Sequence, residues 1–363
     1  MARVSVLLPC RNAAPHLAEA LGSLCGQTYR DLEIVAVDDA STDGTAALLH
    51  AWSARDCRLR VVPGEGRGIV AALSAAAAAA EGELLARMDA DDVAEPDRLE
   101  KQVAALNAAS ALDAASALDA ASALNAASAL DAASALNAAS ALAGCGTGVR
   151  YFPRDIVRDG ARDYERWLNS LTTPEAVFRD RFVECPIAHP TLLLRRGAFE
   201  DAGGYHDPGW PEDYDLVLRL LARGHQLSNV GEVLLHWRDR ADRLSRTDPR
   251  YSQDAFRRCK LHHLLPLLDG CDGVVVWGAG PVGKAFARGL LERGVAVRAF
   301  VDLDPRKIGQ VTYGAPVIAP ARINEYRGAF ALAAVAGEVA RAEIRAALIA
   351  AGWREGEEYL AVA

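Results

Sequence analysis

The sequence predicts an α/β protein built on a largely parallel sheet, with a second, smaller α/β domain after it. Three observations carry this. Short apolar runs alternate with helix-patterned runs through residues 4 to 106. Acidic residues gather where those strands end, at Asp38-Asp39 and at Asp89-Ala90-Asp91-Asp92, the edge on which open α/β sheets bind ligands. A strand, a GxGxxG turn and a helix start then follow one another from Gly273 to Lys284.

Val4 to Leu8, closed by Pro9, is a β-branched and apolar run that reads as a buried first strand. Cys10-Arg11-Asn12-Ala13 is its loop, and Leu17, Leu21 and Leu24 mark a helix over Pro15 to Cys25. The second strand, Leu32 to Val37, runs into Asp38-Asp39-Ala40-Ser41-Thr42-Asp43-Gly44. Asp43 suits the start of the helix near Thr45, whereas Asp38 and Asp39 stand at the strand tip. Leu59 to Val62 is a third strand, Gly64-Glu65-Gly66-Arg67-Gly68 a mobile glycine-rich loop, and Ile69 to Ala80 a helix. Arg67 is either an anion contact or part of a plain surface turn. Leu84-Leu85-Ala86 delivers Asp89, Asp91 and Asp92, and Pro96 opens the next helix. Three carboxylates so close repel one another, which suits a hard cation such as Mg²⁺ or Mn²⁺, although a solvated capping loop explains them equally well.

At 363 residues the chain has room for two domains, and a net charge of −8 without a basic stripe argues against nucleic acid. Its seven scattered cysteines contain no CxxC pair, as expected of a reduced, cytoplasmic protein without a zinc site. The N-terminal stretch lacks a signal-peptide core, and no uninterrupted apolar span of membrane length is present, which leaves peripheral membrane contact open.

The blocks Val4 to Asn12, Val37 to Gly44 and Asp89-Ala90-Asp91-Asp92 together resemble the nucleotide-binding blocks of family-2 glycosyltransferases. That resemblance implies the GT-A fold, a mixed sheet flanked by helices, and a nucleotide-sugar donor. It places Pro9 beside the base, Asp39 on a uracil edge with Arg11 and Asp38 nearby, and Arg67 near the diphosphate. It assigns Asp89 and Asp91 to ribose and metal, with Asp92 as a third metal candidate. Ala40 departs from the family, which more often has glycine there.

From Asn107 to Leu142 the hexapeptide (Asn/Asp)-Ala-Ala-Ser-Ala-Leu occurs six times. A six-residue step turns each leucine by roughly 240° on a helix, so no single stripe is buried, and a full helix would be about 54 Å long. It reads as a low-complexity insertion in the first domain. Gly146 to Phe152 resumes the fold, followed by helix-patterned runs over Asp163 to Leu171 and Pro174 to Phe182.

His189, held between Pro186 and Pro190, faces the donor, the acceptor or a structural partner. Glu212-Asp213 opens a helix marked by Leu216, Leu218, Leu220 and Leu221. Carboxylates there cap the helix through its dipole, or supply the base that inverting sugar transfer requires. The family resemblance gives the base to Asp213 and an orienting role to Glu212. Trp210 is a stacking face or a packing residue. Gly231 to Arg238 is a last strand before a basic loop, and comparable family segments close over the donor, making His236, Arg238, Arg243 and Arg246 phosphate candidates.

Ala255 to Leu268 reads as a linking helix. Beyond it, Gly278, Gly280 and Gly283, with Asp302 nineteen residues later, have the spacing of a dinucleotide fingerprint, with Asp302 on ribose. This predicts a small Rossmann-like domain that binds NAD, another nucleotide or a sugar nucleotide, or serves as a scaffold. The expected organisation is a GT-A domain over 1–250 with the repeat at 107–142, a helical linker over 251–271 and the Rossmann-like domain over 272–363. The expected function is metal-assisted, inverting transfer from a nucleotide sugar, UDP-linked by preference, to a hydroxyl of a saccharide or lipid-linked saccharide. The alternatives are an NAD-dependent oxidoreductase acting on a sugar nucleotide, and a non-catalytic nucleotide-sugar-binding protein.

Overall fold

Strands β1 (Val4–Cys10), β2 (Leu32–Asp38), β3 (Leu59–Pro63) and β4 (Leu84–Arg87) lie parallel in the computed structural model, which describes residues 2–109 and 142–363. All seven residues of β1 are buried, as expected of a strand covered on both faces. The helix Ala14–Cys25 turns Leu17, Leu21 and Leu24 inward. Asp43 starts two helices at once. Its Oδ1 accepts from the Thr45 amide at 2.9 Å and its Oδ2 from the Ala14 amide at 3.1 Å. Ala40 has φ +54°, a left-handed conformation in which a β-carbon is strained, which gives a physical reason for glycine at this turn.

The sheet then becomes mixed. β7 (Leu193–Arg195) runs antiparallel between β4 and β6 (Leu142–Phe152), β6 runs parallel to β8 (Gln226–Arg238), and β5 (Val93–Ala94) closes on β8. The strand order is β3-β2-β1-β4-β7-β6-β8-β5. The β6–β8 register shifts around Gly148, where a β-carbon would stand 2.8 Å from the Glu232 carbonyl. Glycine is therefore required at this bulge. It re-aims the end of β8 toward the acidic stretch that follows β4.

Several boundaries differ from expectation. The helix after the acidic stretch occupies 98–109, not a start at Pro96, because the Pro96 carbonyl accepts from the Thr28 amide at 2.8 Å and is held in a turn. Leu142, counted as the last residue of the repeat, opens β6, and 107–109 are helical. The rest of the repeat, 110–141, lies outside the described residues. β5 was not anticipated, since two residues are too short to leave a pattern.

The chain divides into two compact units. The first comprises Met1–Phe178, Ile187–Pro208 and Glu212–Arg246; the second comprises Arg179–Pro186, Gly209–Pro211 and Thr247–Ala363. The short segments join the second unit through specific contacts. Buried Lys260 donates to the Val183 carbonyl at 2.7 Å and to that of Val362 at 3.1 Å, and Arg345 pairs with Asp180. Trp210 packs its ring 5.2 Å from that of His262, so it is a packing residue of this unit.

The second unit holds β9 (Val274–Trp277), β10 (Val297–Val301), β11 (Val311–Thr312), β12 (Ala315–Ile318), β13 (Phe330–Ala333) and β14 (Tyr359–Ala361). They form one sheet of order β11-β12-β10-β9-β13-β14, parallel except for the β11–β12 pair. Helices Pro281–Leu291 and Glu338–Ala350 follow β9 and β13. Among the described residues no helix is long and apolar enough to cross a membrane.

Candidate active site

Cys10 and Asp38 end adjacent parallel strands as a register pair, and Pro9 pairs with Val37 just before them. Asp39, one residue beyond, is buried, and both its oxygens are engaged. Oδ1 accepts from the Gly66 amide at 2.8 Å and Oδ2 from the Gly68 amide at 2.9 Å. The glycine-rich loop is thus held to the tip of β2 by one carboxylate. Arg11 spans the same place, its Nη1 standing 3.3 Å from Asp39 Oδ2 and 3.3 Å from the Gly66 carbonyl. Arg67 lies on the exposed side of the loop, paired with Glu65 at 2.8 Å.

The acidic stretch after β4 comes together. Asp89, Asp91 and Asp92 each offer one oxygen such that all three lie within 4.8 Å of one another. Asp89 pairs with Arg87 at 2.6 Å and Asp91 with Arg240 at 3.1 Å. Asp92 is buried, accepts from the Arg238 amide at 2.8 Å through Oδ1, and leaves Oδ2 without a hydrogen-bond partner among the described residues. Burial, and then repulsion from Asp89, raise the Asp91 and Asp92 carboxyls above the usual carboxylate range. Three hard oxygens around one point, one of them buried and unsatisfied, fit a small divalent cation such as Mg²⁺ or Mn²⁺. Asp92 faces β8, so it does not cap the following helix.

A second constellation meets this one from the other half of the sheet. Glu212, buried, and Asp213, partly buried, begin the helix Glu212–Ala222. Burial first, and then the Glu212 carboxylate, push the Asp213 carboxyl up to about 7, with Arg87 acting in the opposite direction. His189 accepts or donates at 2.9 Å with the Tyr205 hydroxyl and stands 3.9 Å from Glu212. Burial, and then Arg87, hold the His189 imidazole well below its ordinary value, so it is neutral. Asp89, Tyr205, His189 and Asp213 therefore share one electrostatic neighbour, Arg87.

The basic residues at the end of β8 are placed differently from expectation. The Arg238 guanidinium donates to the Asp91 carbonyl at 2.7 Å, pairs with Glu19 and lies 4.4 Å over the Phe152 ring. It braces the acidic stretch through Nε, while Nη2 is engaged by Glu19. Arg243 is stacked 4.6 Å over Trp237, Arg246 pairs with Asp239 at 2.5 Å, and His236 meets Glu95 at 2.7 Å. Arg87 and Arg240 were not singled out from the sequence. The one available signal was a cation closing an otherwise apolar buried strand at Arg87.

In the second unit the three glycines play separate parts. A β-carbon on Gly283 would stand 1.8 Å from the Gly278 carbonyl, and one on Gly278, where φ is +116°, 2.7 Å from Val335. At Gly280 it would meet nothing within 4 Å. Asp302 is tied down, its Oδ2 taken by the Ala279 amide at 3.0 Å and Lys307 at 2.8 Å, its Oδ1 by the Asp304 amide at 2.9 Å. Gly283→Ala is accordingly expected to destabilise the second unit by about 2–4 kcal/mol, and Gly280→Ala by about 0.5 kcal/mol or less, in denaturant melts.

Residues 5–126 match the model of glycosyl transferase family 2. The chain is 29% identical over 296 residues to EpsE of Bacillus subtilis, a glycosyltransferase by name, covering 78% of this chain and 89% of that one. It is 34% identical over 98 residues to the glycosyltransferase GlyG of Streptococcus pneumoniae, which covers 27% of this chain and 33% of that one. In structure it is similar to TarS 1–349 of S. aureus in complex with UDP-GlcNAc, with a TM-score of 0.51 and 17% identity over 79% of this chain and 71% of that one. The β3-β2-β1-β4 sheet with its mixed extension and three family blocks matches the GT-A fold of the structural neighbour, and with residues 5–126 matching glycosyl transferase family 2 and the likeness to EpsE, the chain is a glycosyltransferase.

Proposed function

We propose that the chain transfers a sugar from a nucleotide-sugar donor, UDP-linked, to a hydroxyl of a saccharide or lipid-linked saccharide, with inversion and with help from a divalent cation. The observation that carries this is that the three-carboxylate cluster and Asp213 share the buried Arg87 as a charged neighbour, with the Asp213 carboxyl pushed up to about 7 by burial and Glu212. A base with such a value is ionised often enough to accept a proton and basic enough to hold it.

In this reading Pro9, Arg11, Asp38 and Asp39 receive the base end of the donor, and Arg67 is available to its phosphates once it leaves Glu65. Asp89 and Asp91, with Asp92 behind them, would hold Mg²⁺ or Mn²⁺, which when bound offsets charge gathering on the leaving diphosphate. Asp213 takes the proton of the acceptor hydroxyl as its oxygen bonds to C1. The C1–O bond to the diphosphate breaks on the opposite face and the electron pair leaves with the nucleotide. Glu212 and His189 orient Asp213 and Tyr205. A UDP donor is supported by the UDP-GlcNAc complex of the structural neighbour. We place the reaction in the cytoplasm.

The second unit is read as a Rossmann-like module whose open turn at Gly280 receives a nucleotide. The oxidoreductase alternative is not favoured, because Asp302 spends its oxygens on its own loop and does not present them to a ribose. Screening UDP- and GDP-sugars with and without Mn²⁺ by thermal denaturation tests the proposal. One UDP-sugar is expected to raise the melting temperature in a Mn²⁺-dependent manner, since a ligand at a hundred times its dissociation constant adds about 2.7 kcal/mol of stability. No stabilisation by any of them would sink it.

A further inference from the structure

Two buried arginines stand eleven positions apart, and only one is housed like a structural residue. Arg98 donates from Nε to Gln102 at 3.1 Å and from Nη2 to the Arg87 carbonyl at 2.8 Å. Arg87 spends Nη2 on Asp89 at 2.6 Å, while its Nε and Nη1 are buried with no hydrogen-bond partner among the described residues. Slack in the backbone does not explain this. The Arg87 amide donates to the Leu192 carbonyl at 2.8 Å, and the residue pairs with Leu7 in the β1–β4 register.

Burying a guanidinium with two nitrogens unsatisfied carries a desolvation penalty that an apolar side chain filling the same space would avoid. What an apolar side chain cannot supply is the charge. Asp89 and Asp92 face Arg87 from the acidic stretch, and Asp213 and Tyr205 from the other half of the sheet. We propose that Arg87 is the fixed counter-charge of the donor-and-metal clamp and a positioning residue for Asp89, holding that carboxylate toward the cluster. This rests on reading the cluster as that clamp.

A fixed positive charge beside a cation site and an anion site affects them oppositely. It repels Mn²⁺ and attracts a diphosphate. Loss of the charge outweighs loss of Asp89 orientation, because orientation is one side-chain rotamer whereas the charge acts on every group in the cluster. A merely structural arginine has no such signature, since its removal weakens both ligands together or lowers stability alone.

The test uses the full chain, with Mn²⁺ binding followed by the magnetic resonance of free Mn²⁺ and UDP binding at saturating Mn²⁺ by calorimetry. In Arg87→Met, Mn²⁺ is expected to bind about tenfold tighter and UDP about tenfold weaker, and in Arg87→Lys both remain within about threefold of the parent. If the Met variant does not melt cooperatively, Arg87→Gln provides the uncharged comparison. Parallel weakening of both ligands, unchanged affinities in the uncharged variant, or a Lys variant that behaves like it would overturn the proposal. Failure of the unsubstituted protein to bind UDP with Mn²⁺ would instead remove the clamp reading itself, before any substitution is made, and this inference with it.

Discussion

Asp213→Asn is expected to lower sugar transfer by about a thousandfold or more while leaving UDP binding with Mn²⁺ in place. The substitution keeps shape and the contact to the Tyr214 amide, which Asp213 accepts at 2.7 Å, and removes only the capacity to take a proton. The pH profile follows from the same carboxyl. Burial and Glu212 push it up to about 7, so the rate of the unsubstituted enzyme should rise tenfold per pH unit below about 7 and level off above it. Arg87, Tyr205 and Glu212 are the charged or titratable groups facing it. Stability runs the other way. A carboxyl raised from an ordinary 3.8 stabilises the fold while protonated, and that contribution is lost as pH rises from 3.8 through about 7. Asparagine has no such loss, so the melting temperature of Asp213→Asn should exceed that of the parent by a margin that widens from pH 4 to pH 7 and is constant above. An inactive variant with no such widening would mean that Asp213 is not the raised group.

The part of this site that was legible in sequence is the part written in local chemistry. An apolar run ending in Asp38-Asp39 or in Asp89-Ala90-Asp91-Asp92 places carboxylates at strand tips, and parallel pairing of β1 with β2 and β4 then brings those tips to one edge. The partners of those carboxylates were not legible. Arg238 reaches Asp92 across 146 positions of chain, and that pairing depends on the Gly148 bulge and on β5 closing over β8. No periodicity encodes such a contact. Arg238 looks like a free basic residue in sequence because nothing nearby announces Glu19 or Phe152, and the six-residue gap from Trp237 to Arg243 does not show that the two stack. Arg87 was hidden for the opposite reason: at the end of a buried strand it reads as a solvent-facing terminus, whereas the fold encloses it. Asp302 had the right spacing for a ribose ligand, and spacing does not show that Ala279, Asp304 and Lys307 occupy its oxygens.

Asp91→Asn should weaken Mn²⁺ binding in the presence of UDP by about a hundredfold, and Asp89→Asn by a similar factor, because each removes a charged first ligand from a cation that prefers hard oxygen. Asp92→Asn should cost less, about tenfold. Its Oδ1 position, which accepts from the Arg238 amide, survives the change, and what is lost is the buried Oδ2 that now lacks a hydrogen-bond partner. Magnetic resonance of free Mn²⁺ during titration ranks the three variants directly, and chelation by EDTA should weaken UDP binding to the parent without abolishing it. The ranking carries the argument because two of the three acids already have a cationic partner, Arg87 on Asp89 and Arg240 on Asp91. A cation entering the cluster must share these carboxylates with the arginines. The half-exposed Arg240 can yield and turn to a diphosphate, whereas buried Arg87 cannot move. Losing Asp91 thus removes a metal ligand and frees Arg240 from its partner in the cluster, leaving it only the exposed Asp242 at 3.6 Å, so UDP without Mn²⁺ should bind Asp91→Asn no worse than it binds the parent. If Asp92→Asn proved as damaging to Mn²⁺ affinity as Asp91→Asn, the buried carboxylate would be a full ligand, and the cation would sit deeper in the cluster than the partly buried Asp89 and Asp91 imply.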